Sequence, residues 1–261
     1  MSVGISRYSV VGTGYSNGGS GSVLTIHIET IAETASTNAD MKARALEGAE
    51  EGFWLRAVKQ SGGVGRLGRK WESPEGNLYC STLVRCRRDD PSPSSLSFVA
   101  ALAVHKAISA HLPHDDIWLK WPNDILVSGL KICGILLERA GDAVVVGIGV
   151  NVAVAPQLDG RTVTSLHKEG SDPELSPEAV LDSLAECFAD TLTEWRQTGL
   201  ASILDAWQKR AHPLGTRLST SDANGQPLEG EYAGLSADGA LRLRKRDGTL
   251  IAIHAGDVDV G

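Results

Sequence analysis

Hydrophobic and polar residues follow one another in patterns that predict a mixture of strands and helices. Seven strands are predicted from alternating or continuous apolar runs, over residues 23–29, 53–58, 78–84, 117–121, 125–127, 130–137 and 143–150. Four helices are predicted from apolar spacing and cap residues, over 39–46, over 94–112, from Ser176 onwards, and around Trp207. Strands and helices therefore succeed each other as far as Pro213.

The pattern changes after Pro213 to short alternating segments separated by turn signals. Asn224-Gly225, Asp238-Gly239 and Asp247-Gly248 are pairs that favour tight hairpins. We therefore predict two domains, a larger one over residues 23–212 and a small β-barrel over 213–261. Residues 1–22 are rich in glycine and serine, which predicts that they form a flexible tail before the two domains.

Composition and charge narrow the class of protein. The chain has 261 residues, of which 42% are hydrophobic and 22% charged, an ordinary balance for a folded domain. Its net charge of -7 argues against broad nucleic-acid binding, which needs an excess of cations. Residues 1–22 also lack the paired amphipathic helices of a helix-turn-helix. We therefore expect no built-in DNA-binding domain.

Localisation is expected to be cytoplasmic. No apolar run reaches the roughly 20 residues needed to span a bilayer. The first residues lack the basic start and apolar core of a secretory signal. Four cysteines are present and none form a C-x-x-C pair, so reduced thiols are expected rather than a zinc site.

The glycine-rich segment at residues 63–68 fits the G-x-G-x-x-G string of dinucleotide-binding folds. That motif needs a helix to open at its end, whereas residues 69–77 lead through a turn into a predicted strand. A loop that binds an anion through backbone N–H groups, with Arg66 and Arg69 beside it, fits better. Trp71 would then offer an apolar face to a flat ring. An exposed basic loop with a core tryptophan is equally compatible with the composition.

Three further segments place polar residues at predicted strand ends. Pro122 should terminate a strand and project Asn123 and Asp124, although an ordinary Asn-Asp turn would look the same. Lys131 lies at the start of an apolar strand, where a lysine is usually just solvated. Asn151 follows a buried strand and would either read a purine edge or close a turn.

Taken together, these segments resemble a known family. Residues 60–71, 120–124, 131–136 and 147–151 are similar in order and spacing to the signature blocks of biotin protein ligases, and Ser36-Thr37-Asn38 resembles their upstream block. The resemblance runs from residue 23 to the end of the chain. It implies an α+β fold of the class II synthetase type, with a mixed β-sheet flanked by helices, and a C-terminal SH3-like barrel. Without a DNA-binding segment, a monofunctional enzyme is implied.

The resemblance also implies the reaction and its residues. Such enzymes use ATP and Mg2+ to ligate biotin, through biotinyl-5'-AMP, to a lysine of a biotin carboxyl carrier protein. Lys131 and Arg66 would stabilise charge, and Asp124 would act as a base or orient the amine. The residues implied for biotin are Ser36, Thr37, Asn38, Gln60, Val64, Gly65, Arg66 and Lys131. Those implied for ATP are Arg66, Arg69, Trp71, Asn123, Asp124, Lys131 and Asn151.

Two departures from the family pattern and two alternatives remain open. Many relatives have a basic residue where this chain has Val64 and Leu67, which would weaken retention of the adenylate if side-chain charge closes the loop. A lipoate protein ligase-like enzyme is an alternative, although its arginine-led triple-glycine block is missing. A nucleotide-binding regulator without catalysis is another. The chain is expected to be a monomer or a homodimer.

Overall fold

Eight strands form one mixed sheet in the order β1-β2-β3-β4-β8-β7-β6-β5. The structure is a computed structural model, and it describes residues 6–11, 25–157, 162–221 and 226–260. Strands β2 and β3 are parallel, and every other neighbouring pair is antiparallel. The strands are β1 (Ser6–Val11), β2 (Thr25–Thr34), β3 (Phe53–Gln60), β4 (Leu78–Arg85), β5 (Ile117–Lys120), β6 (Asp124–Val127), β7 (Leu130–Ala140) and β8 (Ala143–Val150).

Helices cover both faces of this sheet, as predicted. The helices are α1 (Thr37–Leu46), α2 (Leu96–Ser109), α3 (Pro177–Thr198) and α4 (Leu200–Gln208). Met41 of α1 packs with Leu83 and Val145 on one face. The next residues along the strands, Val84 and Val146, point to the other face and join the core of α2, α3 and α4. This alternation follows from the two-residue period of a strand.

Local capping sets where α1 and α3 begin. Ser36 Oγ accepts a hydrogen bond from the Ala39 N–H at 3.4 Å, and Ser176 Oγ accepts one from the Ala179 N–H at 3.2 Å. Both serines were predicted as caps, because a side-chain oxygen satisfies an N–H that the helix leaves unpaired. Pro177 occupies the first turn of α3, where its missing N–H costs nothing.

Strand β1 differs from the flexible tail expected for residues 1–22. Ser6–Val11 pairs antiparallel with β2, from Ser6 opposite Thr30 to Val11 opposite Thr25. Pairing uses backbone groups, which any residue other than proline supplies, so the glycine- and serine-rich composition did not reveal it. The remainder of residues 1–22 lies outside the described residues.

The C-terminal region forms a separate five-stranded antiparallel sheet in the order β12-β11-β10-β9-β13. Its size and antiparallel order agree with the predicted SH3-like domain, while the described pairings do not close it into a barrel. The turns at Gly239 and Gly248 have positive φ, as predicted, and Asn224-Gly225 lies outside the described residues. The strands are β9 (Arg217–Ser221), β10 (Pro227–Leu235), β11 (Leu241–Arg244), β12 (Leu250–Ile253) and β13 (Asp259–Val260).

The two sheets meet at Trp121, which follows β5. Trp121 is buried, and its indole N–H donates to the carbonyl of Gly239 at 3.1 Å. Phe98 of α2 lies against the same glycine, where a Cβ would come within 2.6 Å of its ring. The C-terminal sheet is therefore held against the segment that carries Asn123 and Asp124.

Two further observations concern the chain as a whole. None of the helices within the described ranges is long and apolar enough to cross a membrane. All four cysteines are free thiols, in agreement with the expected reduced state.

Candidate active site

One cavity brings together all the residues that the sequence predicted for biotin and ATP. Its volume is about 460 Å³, and it opens at the ends of strands β3, β6, β7 and β8. The binding roles of the individual residues stay predictions. No local feature of the sequence required these residues to lie together. The predicted residues in its wall are Ser36, Thr37, Asn38, Gln60, Val64, Gly65, Arg66, Arg69, Trp71, Asn123, Asp124, Lys131 and Asn151.

One end of the cavity is lined by amide and hydroxyl groups held in fixed orientations. Gln60 Oε1 accepts hydrogen bonds from the Thr37 N–H at 2.9 Å and from Thr37 Oγ1 at 3.2 Å. Gln60 Nε2 donates to Ser73 Oγ at 3.1 Å. These contacts distinguish the oxygen from the nitrogen of the Gln60 amide. They tie the end of β3 to the first turn of α1.

Ser81, which sequence reasoning missed, does not line the cavity but contacts two residues that do. It is fully buried in β4, and its Oγ lies 2.8 Å from Thr37 Oγ1 and 2.7 Å from Asn38 Oδ1. A signal was present in the sequence, because a serine within the otherwise mostly apolar run 78–84 requires a polar partner.

Asn38 is oriented by Glu138, a second residue that was missed. Asn38 Nδ2 donates to Glu138 Oε2 at 2.9 Å, and Lys42 Nζ donates to the other carboxylate oxygen at 2.8 Å. Partial burial opposes ionisation of Glu138, but the hydrogen bonds from Lys42 and Asn38 outweigh it and lower its pKa. Gly147 makes room for Asn38, since a Cβ there would lie 2.1 Å from Asn38 Oδ1.

Trp71 lies flat against two glycines of the sheet. A Cβ added at Gly149 would come within 2.6 Å of the indole ring, and one at Gly134 within 2.8 Å. The close approach predicted at Gly134 is thus made by Trp71. The Trp71 Nε1 is buried and has no hydrogen-bond partner among the described residues. A buried donor without a partner in a cavity wall is a group that a ligand acceptor would satisfy.

The opposite end of the cavity is cationic. Lys131 Nζ donates to Asp124 Oδ1 at 2.6 Å and lies 5.4 Å from the centre of the Trp71 ring. Arg66 Nη1 donates to Asn123 Oδ1 at 3.2 Å. Asn123 is itself fixed, because its Nδ2 donates to a β7 carbonyl at 2.7 Å. The positions of the cations are therefore set by neighbouring side chains.

A third residue missed in the sequence comes from the C-terminal sheet. Asp257 pairs with Arg69 and lies 3.6 Å from Arg66 Nη1, so one carboxylate faces both arginines of the glycine-rich loop. No local pattern in residues 254–258 pointed to this contact. The cavity is consequently walled by both domains.

Asn151 joins the end of β8 to a segment further along the chain. Its Nδ2 donates to the Thr164 carbonyl at 2.9 Å, and only 2% of the residue is exposed. This hydrogen bond spans 13 residues and is not a turn, and the contact of Asn151 with a purine stays a prediction. The loop residues Val64 and Leu67 have 50% and 80% of their surfaces exposed, and of the two only Val64 lines the cavity.

Comparisons with known proteins identify the class to which this fold and cavity belong. A model of the biotin/lipoate A/B protein ligase family matches residues 31–154, and a model of the biotin protein ligase C-terminal domain matches residues 221–261. A biotin--[acetyl-CoA-carboxylase] ligase of Paracoccus denitrificans is 36% identical over 245 residues, which cover 88% of this chain and 99% of that protein. The chain belongs to the biotin protein ligase family.

Solved structures of the family are similar over most of the chain. The biotin protein ligase of Aquifex aeolicus in complex with biotin and ATP has a TM-score of 0.78 and 26% identity, covering 90% of this chain and 98% of the other. The Leishmania major enzyme in complex with biotinyl-5-AMP has a TM-score of 0.63 and 26% identity, with coverages of 87% and 98%. The protein is therefore a ligase, as its sequence predicted.

Proposed function

We propose that this protein activates biotin with ATP and transfers the biotinyl group to a lysine of a biotin carboxyl carrier domain. The observation that carries the proposal is the polarity of the cavity described above, with fixed amides and hydroxyls at one end and Arg66, Arg69 and Lys131 at the other. Biotin has the matching polarity, because its ureido ring offers N–H donors and a carbonyl, and its valerate chain ends in a carboxylate.

The polar end would hold the ureido ring. Thr37, Asn38 and Gln60 have their donors and acceptors oriented by contacts within the protein. Oriented groups bind without first losing rotational freedom, which favours affinity. The carboxylate at the end of the valerate chain of biotin would then point toward Lys131 and Arg66.

The cationic end would support the first chemical step. A carboxylate oxygen of biotin attacks the α-phosphate of ATP, the bond to the β-phosphate breaks, and pyrophosphate leaves with the negative charge. Arg66 and Lys131 would stabilise the charge on the reacting phosphate, and Arg69 that on the leaving group. Their positions are fixed by Asn123, by Asp124 and by other groups of the cavity wall.

Mg2+ would accompany the nucleotide, and the donors present fit that mode of binding. The described residues contain no cluster of three or more His, Cys, Asp or Glu side chains able to hold a metal. Mg2+ commonly uses one or two carboxylates together with substrate phosphates. Asp124 supplies such a carboxylate in the cavity wall. The ion would offset charge on the departing pyrophosphate.

The second step needs a neutral amine. The acceptor ε-amine attacks the carbonyl carbon of biotinyl-5'-AMP, AMP leaves, and the amine loses a proton. A free lysine is almost wholly protonated at neutral pH. Asp124 is proposed to accept this proton or to orient the amine, with Lys131 holding its other oxygen. Transfer from preformed adenylate should therefore be slower in Asp124→Asn, and unchanged transfer would remove this role.

The cellular setting of the proposed reaction is the cytoplasm, where ATP and carrier domains meet and cysteines stay reduced. The acceptor is proposed to be the carrier domain of a biotin-dependent carboxylase. No specific DNA target is proposed, since the acidic chain offers no general excess of cations. The protein would act as a monomer or as a homodimer.

One incubation tests the proposed function against its alternatives. The protein is mixed with ATP, Mg2+, a carboxylase carrier domain and equal amounts of biotin and lipoate, and the carrier is weighed intact. We expect a mass increase that matches one biotinyl group. A lipoyl adduct would favour the lipoate ligase alternative, and ATP binding without biotin-dependent pyrophosphate release would favour a non-catalytic regulator.

A further inference from the structure

The C-terminal domain presents one carboxylate to both arginines of the glycine-rich loop. Asp257 pairs through Oδ2 with Arg69 Nη2, and its Oδ1 lies 3.6 Å from Arg66 Nη1. The same Arg66 nitrogen donates to the Gly256 carbonyl at 3.2 Å. Arg66, Arg69 and Asp257 line the cavity proposed to hold ATP.

Asp257 is held in place by its own domain. Its backbone carbonyl accepts a hydrogen bond from Thr220 Oγ1 at 2.6 Å, and the next residue, Val258, is buried. Val260 then pairs with Leu218 in β9. The carboxylate is therefore carried on an anchored segment, although 44% of the side chain is exposed to solvent.

A phosphate and this carboxylate would need the same donors. The planar carboxylate and the tetrahedral phosphate are both oxyanions that accept hydrogen bonds from the paired N–H groups of a guanidinium. Each edge of an arginine side chain can therefore bind only one of them at a time. Two like charges in one cavity also repel each other. Phosphate binding at Arg66 and Arg69 must therefore displace or weaken the contacts of Asp257.

We propose that Asp257 competes with nucleotide phosphate for Arg66 and Arg69, so that the C-terminal domain sets the affinity of the cavity for ATP. The inference rests on the proposed function, because it takes ATP as the ligand of this end. Asp257 is a positioning residue in this scheme and does not contact the reacting atoms. Without nucleotide it occupies the guanidinium groups of the two arginines, and it yields them to the stronger anion.

The size of the expected change in ATP affinity follows from the solvent exposure of Asp257 and the two arginines. Arg66 and Arg69 have 22% and 34% of their side chains exposed, so solvent screens their attraction to Asp257. Ion pairs of this kind contribute little, and their removal should change the dissociation constant for ATP by about three- to fivefold. The direction is the informative result, since a group that merely braces the loop would have the opposite effect.

Calorimetric titration with ATP and Mg2+ tests the proposal on four full-length proteins. Asp257→Asn should bind ATP about three- to fivefold more tightly than the parent. Asp257→Glu restores the carboxylate and should return the affinity toward that of the parent. Asp247→Asn removes the same charge from an exposed turn of the same domain and should leave ATP affinity unchanged. Thermal unfolding of each variant checks that it folds.

Three outcomes would overturn the proposal. Weaker ATP binding in Asp257→Asn would make the residue a brace for the loop, and unchanged binding would make it irrelevant to the nucleotide. An equal gain in Asp247→Asn would reduce the effect to net charge and would also reject the proposal. Failure of the proposed function is seen separately, as the parent protein leaving the carrier domain unmodified in the mass assay.

Discussion

Lys131 of β7 and Asp124 of β6 face each other across neighbouring strands, with 2.6 Å between Nζ and Oδ1. About one fifth of each side chain is exposed, 21% and 18%, so the pair is neither fully solvated nor sealed from the cavity. The carboxylate fixes the direction of the lysine, and the Trp71 ring lies on its other side. This pair belongs to the cationic end of the proposed site.

Lys131→Met should remove most of the adenylation activity. A fixed cation at the reacting phosphate contributes about 10²- to 10³-fold to the rate, by analogy with other charge-stabilising donors. Biotin-dependent pyrophosphate release measures the effect. Lys131→Arg is the control that keeps the charge and should lose less. Release within a few-fold of the parent in Lys131→Met would contradict the role assigned to this lysine.

Gly149→Ala should destabilise the fold and displace Trp71. Its Cβ would lie 2.6 Å from the indole, and such overpacking costs about 1–3 kcal/mol. Gly65→Ala is a matched control, because the nearest atom to its Cβ is the Arg69 carbonyl oxygen at 3.5 Å. Denaturant unfolding gives both free energies, and equal stability of the two variants would show that Trp71 shifts without cost.

Glu138→Gln should weaken biotin binding and leave ATP binding nearly unchanged. The substitution allows an amide N–H to face Asn38 Nδ2 and so removes the preference for one orientation of Asn38. One hydrogen bond of about 1 kcal/mol corresponds to a rise of about fivefold in the KM for biotin. Lys42→Met should have less effect, since it leaves the contact between Asn38 and Glu138 intact. An equal rise in both KM values would argue for general damage to the site.

His105 should make the protein less stable as the pH falls from about 6.5 to about 4. Burial, and then the charge of Arg210, lower the pKa of His105 from 6.5 to about 4. Between these two pH values His105 is protonated in the unfolded chain but neutral in the folded chain. A falling pH therefore favours unfolding. His105→Gln should therefore show a shallower loss of unfolding free energy over this range. Parallel pH profiles for the two proteins would rule out this contribution.

Arg196→Met should be strongly destabilising. Arg196 donates to Glu51 at 2.7 Å and to Asp90 at 3.1 Å, and these carboxylates have only 10% and 6% of their side chains exposed. Removing the arginine leaves Asp90 without its cation and Glu51 with only the more distant Arg87, 3.6 Å away, and breaking such buried networks costs about 3–5 kcal/mol. Arg246→Met, at a site 93% exposed, should change stability by less than about 0.5 kcal/mol. Similar unfolding midpoints for the two variants would contradict this expectation.

Local chemistry determined much of the fold from the sequence alone. Ser36 and Ser176 cap helices because a hydroxyl satisfies an N–H three residues away. Ser128 and Gly129 form the hairpin turn between β6 and β7, with φ of 52° and 75°. Each of these capping and turn signals involves residues only a few positions apart. Each can therefore be recognised in the sequence without knowledge of any tertiary contact. The resemblance of the motif blocks to a family added the site residues that now share one cavity.

Tertiary structure decided what joins residues far apart in the chain. Asn38 meets Glu138 because α1 packs across β7, and Trp71 finds its slot because Gly134 and Gly149 are neighbours in the sheet. Asp257 reaches Arg69 only after the C-terminal domain has docked on the larger one. The Asn38–Glu138 and Arg69–Asp257 pairs carry no local signature, since each of these polar residues alone suits a solvated surface. Their partners are fixed by strand order and domain packing, which depend on the whole chain.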